Sequence, residues 1–226
     1  MSTPERERPL RITADMLAPG TPGAAVDFER GMRPAPPLVL LLMVLNVAMF
    51  AWQLAAGALA SQESIIEAGA LVRERVLAGE AWRVVSSMFL HGGPEHLIGN
   101  LVALYIVGMA CEHALGLPGT ALVYFGSGAA GAALSMAMSP GPSVGASGAI
   151  FGLLGAVIVV LYRHRDRFHL RDNRIGFVLA AWAIFQVAIG FATPFVDNYA
   201  HLGGLAGGAL AASMLRPRLL SPGPLE

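Results

Sequence analysis

A serine and a histidine lie within apolar stretches of this chain, where isolated polar side chains are costly. Ser147 stands in the sequence Gly-Ala-Ser-Gly and opens the uncharged run 149–162, and His201 stands in Tyr-Ala-His-Leu-Gly-Gly within a second apolar run. A hydroxyl and an imidazole inside membrane-spanning helices are stabilised when they hydrogen-bond to each other. A serine paired with a base is also the minimal set of groups for nucleophilic acyl transfer. Both considerations predict hydrolysis inside a membrane.

The composition indicates a membrane protein. Hydrophobic residues make up 55% of the 226 residues and charged residues 13%, with a mean hydropathy of +0.60, whereas about 25% of the residues of a typical soluble domain are charged. The formal net charge is zero, so we expect no nucleic-acid partner. The single cysteine, Cys111, excludes a disulfide within the chain.

The gaps between charged residues predict six membrane spans, at about 20 apolar residues per crossing. The uncharged stretch 114–162 is too long for one span, and the sequence Ser-Pro-Gly-Pro-Ser at 139–143 divides it. The predicted spans are about 38–59, 95–112, the two parts of 114–162, 175–195 and 198–215. We therefore expect an all-α membrane protein whose residues 37–216 form a six-helix bundle.

The arginines predict how this bundle is oriented. All fifteen basic residues are arginines, and in a six-span topology most of them fall on the side that holds both chain ends. Because positive residues favour the cytoplasmic side, both termini are expected there. Residues 1–36 and 217–226 are expected to be disordered tails, since they mix proline and charge without apolar periodicity. The absence of lysine suggests a GC-rich bacterial genome, and hence a bacterial inner membrane.

This topology brings four polar residues together. The second, fourth and sixth spans enter the membrane from the outer side, with His96 and Asn100 near the start of the second, Ser147 at the start of the fourth and His201 near the start of the sixth. All four are expected one or two helical turns below the outer surface. Alone, each has a simpler interpretation: a packing serine, a structural or proton-relay histidine, an interhelical asparagine. Their convergence favours a reactive site.

Small residues follow both candidate reactive residues. The fourth span carries Gly148 and Gly152, and the sixth carries Gly204 and Gly208, each pair with GxxxG spacing. Because a serine side chain is short, a hydroxyl–imidazole hydrogen bond between two helices requires their backbones to approach closely. Glycine faces permit that approach.

Taken together, these residues resemble the rhomboid family of intramembrane serine proteases. The resemblance covers about residues 81–208 and rests on five motifs in a fixed order. They are Trp82-Arg83, His-Gly-Gly-Pro-Glu-His-Leu-Ile-Gly-Asn at 91–100, Glu112 followed by Gly116, Gly-Ala-Ser-Gly at 145–148, and Ala-His-Leu-Gly-Gly at 200–204. The resemblance implies a six-helix core, a water-filled cavity open to the outer side, and no metal or cofactor.

The resemblance also implies roles for single residues. Ser147 would be the nucleophile and His201 the general base of a dyad, and His96 and Asn100 would stabilise the oxyanion with the Ser147 backbone N–H. Phe151 would stack on the His201 ring, with a plain core position as the alternative. Supporting positions are Gly145, Gly148 and Gly204. Asp197, one turn before His201, is expected to be a cap or loop carboxylate rather than a third catalytic group.

The expected substrates are membrane-spanning proteins, which meet the enzyme within the lipid bilayer. The family is thought to admit them near the second and fifth spans, so Trp182 and Phe185 are gate candidates, although bulky lipid-facing residues are an equally ordinary explanation. The main alternative is a non-catalytic relative that binds transmembrane helices. A transporter is disfavoured, because few carboxylates lie within the spans.

Overall fold

The computed structural model describes residues 25–172, 174–192 and 196–220, and their fold is mostly helical. Two two-residue strands pair with each other, and every other regular element is a helix. In chain order the elements are β1 (Val26–Asp27), α1 (Pro37–Ala55), α2 (Gln62–Glu67), α3 (Arg73–Leu77), α4 (Arg83–Ser86), α5 (Pro94–Met138), α6 (Ser147–Arg163), β2 (Phe168–His169), α7 (Ile175–Ala192), α8 (Asn198–Met214) and a 3-10 turn (Arg218–Leu220).

Three of the described helices, α1, α5 and α7, are long and apolar enough to cross a membrane, and α6 is a shorter apolar helix. The 45 residues of α5 correspond to about 65 Å of helix, roughly twice the thickness of a hydrocarbon core. A kink interrupts α5 at Gly116, whose φ of 70° and ψ of 175° are not helical, and glycine adopts this conformation at little cost. We call residues 94–115 and 117–138 the first and second halves of α5. The count of six spans stays a prediction.

The centre of the bundle is α6, which packs between α8 and the second half of α5. Every residue of α6 from Gly148 to Val157 is buried. A Cβ atom added at Gly204 would overlap the carbonyl oxygen of Gly148, and one added at Gly208 would overlap that of Gly152. The two GxxxG faces therefore touch backbone to backbone, which is the close approach that their spacing predicts.

A buried carboxylate joins α1 to α5. Glu112 accepts hydrogen bonds from the backbone N–H groups of Leu38 at 3.4 Å and Val39 at 3.0 Å. These donors belong to the first turn of α1, where Pro36 provides no side-chain cap. Because the first N–H groups of a helix lack partners within the helix and attract negative charge, Glu112 caps α1 from a distant part of the chain.

The long connection between α1 and α5 is held by one buried cation. The Arg83 side chain is 2% exposed, and its Nη1 donates to the carbonyl oxygens of Ile66 and Ala70. Its Nε donates to Glu80 at 2.7 Å, which holds the pKa of that carboxyl below its usual range. This connection also pairs with the segment before α6, because Leu71 and Ser143 exchange backbone hydrogen bonds.

Parts of both predicted tails are folded. Val26 and Asp27 pair in parallel with Phe168 and His169, and the buried Phe28 ring packs edge-on against the rings of His113 and Phe168. The folded region thus includes part of the predicted 1–36 tail, because Phe28 supplies an apolar anchor. Within the predicted 217–226 tail, residues 218–220 form the 3-10 turn. Residues 1–24 and 221–226 lie outside the described residues.

The glycine contact between α6 and α8 yields a stability prediction. Gly208→Ala would push a methyl group into the backbone of Gly152, and overpacking costs about 1–3 kcal/mol. We expect a melting temperature lower by about 3–10 °C, measured by thermal unfolding in detergent. Gly126→Ala on α5 is the matched control, because its added Cβ meets nothing within 4 Å. Equal effects of the two substitutions would contradict the packing argument.

Candidate active site

Ser147 is the first residue of α6, and a special backbone conformation presents it. Gly145, two residues earlier, has a φ of 122°, in a region that L side chains rarely adopt. Its N–H donates to the carbonyl of Ser87 at 2.8 Å, which fixes the approach to the helix. The Ala146 side chain is buried, whereas Ser147 is only partly buried. The hydroxyl therefore remains accessible at one end of the bundle.

The hydroxyl of Ser147 meets the imidazole of His201. Ser147 Oγ lies 2.9 Å from His201 Nε2, which is a hydrogen-bond distance. His201 belongs to the first turn of α8 and is 9% exposed. A Cβ at Gly148 would lie 3.2 Å from the carbonyl oxygen of Ala200, so α6 and α8 are close at this level. The sequence predicted this meeting of Ser147 and His201, and the structure brings the two side chains together.

Aromatic rings cover the imidazole. The Phe151 ring lies parallel to the His201 ring, with centroids 4.3 Å apart and an interplanar angle of 8°. Phe151 follows Ser147 by one helical turn, so both side chains point to the same side of α6. The Trp182 ring in turn stacks on the Phe151 ring, with centroids 6.4 Å apart. The stacking expected of Phe151 is thus present, rather than a plain core position.

Among the described residues, no carboxylate hydrogen-bonds to the second nitrogen of this imidazole. His201 Nδ1 is buried and has no hydrogen-bond partner within the described part of the chain. Asp197 is the N-cap of α8, where its Oδ1 accepts from the Ala200 N–H at 3.1 Å. Its Oδ2 accepts a short hydrogen bond from Ser135 Oγ. Both oxygens of Asp197 are therefore engaged away from His201, in agreement with the expected capping role.

His96 and Asn100 lie beside the segment that precedes Ser147. A Cβ at Gly145 would come within 2.8 Å of His96 Nε2 and 3.5 Å of Asn100 Nδ2. The Gly92 N–H donates to His96 Nδ1 at 3.4 Å, so Nε2 carries the proton of a neutral ring. Asn100 Nδ2 is buried without a hydrogen-bond partner among the described residues. Two N–H donors are therefore available on this side of the site.

His91 supports His96 from the adjoining loop. The two rings make an edge contact at 5.1 Å, and burial lowers the pKa of His91 to about 4, with a smaller contribution from His96. Gln53 of α1 brackets the His91 backbone, donating to its carbonyl at 3.0 Å and accepting from its N–H at 2.9 Å. Sequence reasoning missed Gln53, and also Ser135. An amide side chain inside an apolar span, where Asn46 is the other one, is the available signal for Gln53.

The two gate candidates occupy different environments. Trp182 is half-buried and stacks on Phe151, whereas Phe185 is 56% exposed. Their helix, α7, buries only Ala183 and Gly190 among its described residues, and residues of α6, α7 and α8 line an apolar cavity of about 410 Å³. The structure thus brings Trp182 to the site and leaves Phe185 on the outer surface of the bundle.

Across residues 25–172, 174–192 and 196–220, no group of three or more His, Cys, Asp or Glu side chains is placed to hold a metal ion.

Comparisons with known proteins identify the family. A model described as the Rhomboid domain matches residues 78–218. Rhomboid protease GluP of Bacillus subtilis is 37% identical over 210 residues, covering 93% of this chain and 40% of that protein. RHOMBOID-like protein 5 of Arabidopsis thaliana is 37% identical over 155 residues, covering 66% of this chain and 50% of that protein.

A further relative carries a different description. Inactive RHOMBOID-like protein 8 of Arabidopsis thaliana is 36% identical over 128 residues, covering 55% of this chain and 35% of that protein. The chain thus spans half or less of the length of each of these relatives. The family model covers more than half of the chain, and the fold is a helical bundle with membrane-spanning helices. The chain belongs to the rhomboid family.

Proposed function

We propose that this protein is an intramembrane serine endopeptidase that cleaves membrane-spanning substrates near the outer face of the membrane. The observation that carries the proposal is the 2.9 Å contact between Ser147 Oγ and His201 Nε2, made between α6 and α8. The similarity to Rhomboid protease GluP agrees with this activity. Nucleophile and base within hydrogen-bond reach are the minimal requirement for acyl transfer.

The first half of the reaction uses His201 as a base. With its proton on Nδ1, the neutral imidazole accepts the Ser147 hydroxyl proton at Nε2 while Oγ attacks the carbonyl carbon of the scissile peptide bond. The tetrahedral intermediate places negative charge on the former carbonyl oxygen. When it collapses, the C–N bond breaks and the imidazolium gives its proton to the leaving amine. An acyl ester remains on Ser147.

The second half repeats these steps with water. His201 takes a proton from the attacking water, and the hydroxide adds to the ester carbonyl. The imidazolium then returns the proton to Ser147 Oγ as the ester bond breaks, so the enzyme is regenerated and a free carboxylic acid leaves. Phe151 acts as a positioning residue throughout, because its parallel contact with the imidazole restricts rotation of that ring.

Three donors would stabilise the oxyanion in both halves. We assign this role to His96 Nε2–H, Asn100 Nδ2–H and the backbone N–H of Ser147. The proximity of the two side chains to Gly145, the hydrogen bond that leaves the proton on His96 Nε2 and the unpartnered state of Asn100 Nδ2 support the assignment. Donors held in place before reaction stabilise developing charge without reorganisation.

The proposed topology has six spans, with both termini in the cytoplasm and the site near the outer face. The kink at Gly116 supports counting α5 as two spans, and the arginine distribution supports the orientation. We place the protein in a bacterial inner membrane. A substrate helix must unwind near the cleavage point, because its carbonyls are engaged in helical hydrogen bonds. We assign its entry to the α7 side, with Trp182 and Phe185 at the gate.

A non-catalytic rhomboid-like protein that binds transmembrane helices is the alternative, since one relative is described as inactive. A binding protein has no chemical need for a serine, a paired imidazole and two oxyanion donors. The complete set of Ser147, His201, His96 and Asn100 therefore favours the enzyme.

Substitution of the nucleophile separates these two functions. We expect Ser147→Ala to abolish cleavage of a reporter transmembrane substrate, since no other hydroxyl replaces Oγ, with the melting temperature nearly unchanged. The wild-type protein should also be labelled by a fluorophosphonate at Ser147. Ser143→Ala, four residues earlier, is the matched control and should retain activity. Wild-type protein that binds the reporter but neither cleaves it nor reacts with the probe would favour the non-catalytic alternative.

The dyad predicts unequal roles for His201 and Asp197. We expect His201→Ala to be inactive, because no base remains for the serine. Asp197→Ala should retain substantial turnover, while losing about 1 kcal/mol of stability through its helix cap. Cleavage rates per folded molecule, with melting curves measured in parallel, test both statements. If Asp197→Ala were as inactive as His201→Ala while remaining folded, a catalytic triad would replace the dyad.

The oxyanion assignment predicts how kcat responds to a substitution of Asn100 that keeps the size of the side chain. Asn100→Asp replaces an N–H donor with a carboxylate that repels the oxyanion. Loss of one such donor lowers kcat by a factor of about 10²–10³. The KM should change little, because the negative charge develops only in the transition state. Steady-state kinetics on the reporter substrate measure both constants. An unchanged kcat in this variant would remove Asn100 from the oxyanion site.

A further inference from the structure

A small pocket lies at the end of the bundle opposite Ser147. It has a volume of about 170 Å³ and is formed by the segment before α1, the end of the first half of α5 and the 3-10 turn. Arg33, Glu112, His113, Leu117 and Arg218 are among its lining residues. We call it the distal pocket. Its walls come from both ends of the described chain and from the α5 kink, so an occupant would touch all three.

The distal pocket carries two guanidinium groups without a carboxylate partner. Arg33 and Arg218 are exposed, and neither belongs to an ion pair within the described residues. Arg218 lies against the kink, since a Cβ at Gly116 would be 3.2 Å from its Cδ. The two arginines belong to segments far apart in sequence, yet both line this cavity.

The other polar lining groups are already engaged. Glu112 accepts hydrogen bonds from the N–H groups of Leu38 and Val39, so its charge faces the positive end of the α1 dipole. His113 Nε2 is 2.7 Å from the Phe28 carbonyl oxygen and donates to it. Among the described lining side chains, the two guanidinium groups are therefore the hydrogen-bond donors that remain available, and they favour an oxyanion.

The size and position of the pocket identify the class of oxyanion. The planar, multiple donors of a guanidinium group match the geometry of a phosphate group. A volume of about 170 Å³ is well below the roughly 300–1,000 Å³ of pockets that enclose a drug-sized ligand, so only a head group would fit. Leu117 lines the pocket and is 48% exposed, which offers an apolar surface beside it for an attached acyl chain.

We propose that the distal pocket binds the phosphodiester head group of an anionic membrane phospholipid, held by Arg33 and Arg218. Basic pockets between membrane helices are suited to such head groups. The bound lipid would tie the segment before α1 to the C-terminal turn across the α5 kink. Because the lipid binds the folded protein and not the unfolded chain, it stabilises the fold. This proposal is independent of the proteolytic activity.

The test compares lipids and arginine variants in thermal unfolding. The full chain in an uncharged detergent is supplemented with phosphatidylglycerol, with phosphatidylcholine, or with inorganic phosphate. We expect phosphatidylglycerol alone to raise the melting temperature of the wild type, by about 2–4 °C. The shift should vanish in Arg33→Gln/Arg218→Gln. It should persist in Arg165→Gln/Arg167→Gln, which removes the same charge from the α6–α7 connection. Native mass spectrometry should show one retained phosphatidylglycerol, lost in the first variant and kept in the second.

Three results would overturn the proposal. An equal loss of the shift in both double variants would mean that surface charge alone is responsible. An equal shift with inorganic phosphate would identify a free anion rather than a lipid as the ligand. No shift with phosphatidylglycerol would exclude the site. If the Arg33/Arg218 double variant fails to fold, the two single substitutions and the lipid count of the wild type decide the question.

Discussion

The contact between α6 and α8 determines both the stability and the proposed chemistry of this protein. In lipid, helices gain little from burying apolar surface against one another, so close van der Waals packing and interhelical hydrogen bonds hold them together. Gly148 faces Gly204 and Gly152 faces Gly208 at backbone distance. The same approach lets the short Ser147 side chain reach His201 Nε2. A larger residue at one of these glycines would therefore separate the helices and the reacting pair together.

Buried polar groups fix the elements around this contact. Asp197 caps α8 and bonds Ser135 of α5, Gln53 of α1 brackets the backbone of His91, and Glu112 caps α1. Apart from the local cap of α8, these bonds join parts of the chain that are distant in sequence, and an unpaired polar group in lipid is costly. These bonds therefore orient the helices that carry the candidate site. Asn100 Nδ2 and His201 Nδ1, which have no hydrogen-bond partner among the described residues, lie at the candidate site itself, where the peptide substrate of the proposed reaction would supply polar atoms.

The sequence predicted the features that depend on residue type and helical spacing. Ser147 and His201 are expected to pair because two isolated polar residues in apolar runs need a partner, and close glycine faces are expected because the serine side chain is short. These two arguments need only the helix period and the direction of each span, which charge and hydropathy provide. The stacking role of Phe151 is instead implied by the resemblance to the rhomboid family.

Features that depend on distant backbone contacts were not predictable in this way. The pairing of β1 with β2 involves two residues on each strand, too few for an alternating pattern to be detected. Because this pattern is absent, the sequence predicts that residues 25–36 belong to a disordered tail. The caps from Glu112 and Asp197 differ in the sequence distance between the carboxylate and the helix that it caps. Asp197 acts on its own helix and was anticipated, whereas Glu112 acts on a helix more than seventy residues away and has no local signal.

Differences in packing among the helices bear on how a substrate could reach the site. The most buried helix, α6, carries Ser147, and the most sparsely packed described span, α7, carries Trp182. Weakly packed elements open at the lowest free energy, so α7 is the element that can move without disturbing the glycine contact between α6 and α8. The Trp182 ring nevertheless touches Phe151, which in turn touches His201. A displacement of α7 would therefore change the packing beside the imidazole while leaving its backbone support in place. In this way the fold can combine lateral access to a buried site with a fixed geometry for the reacting pair.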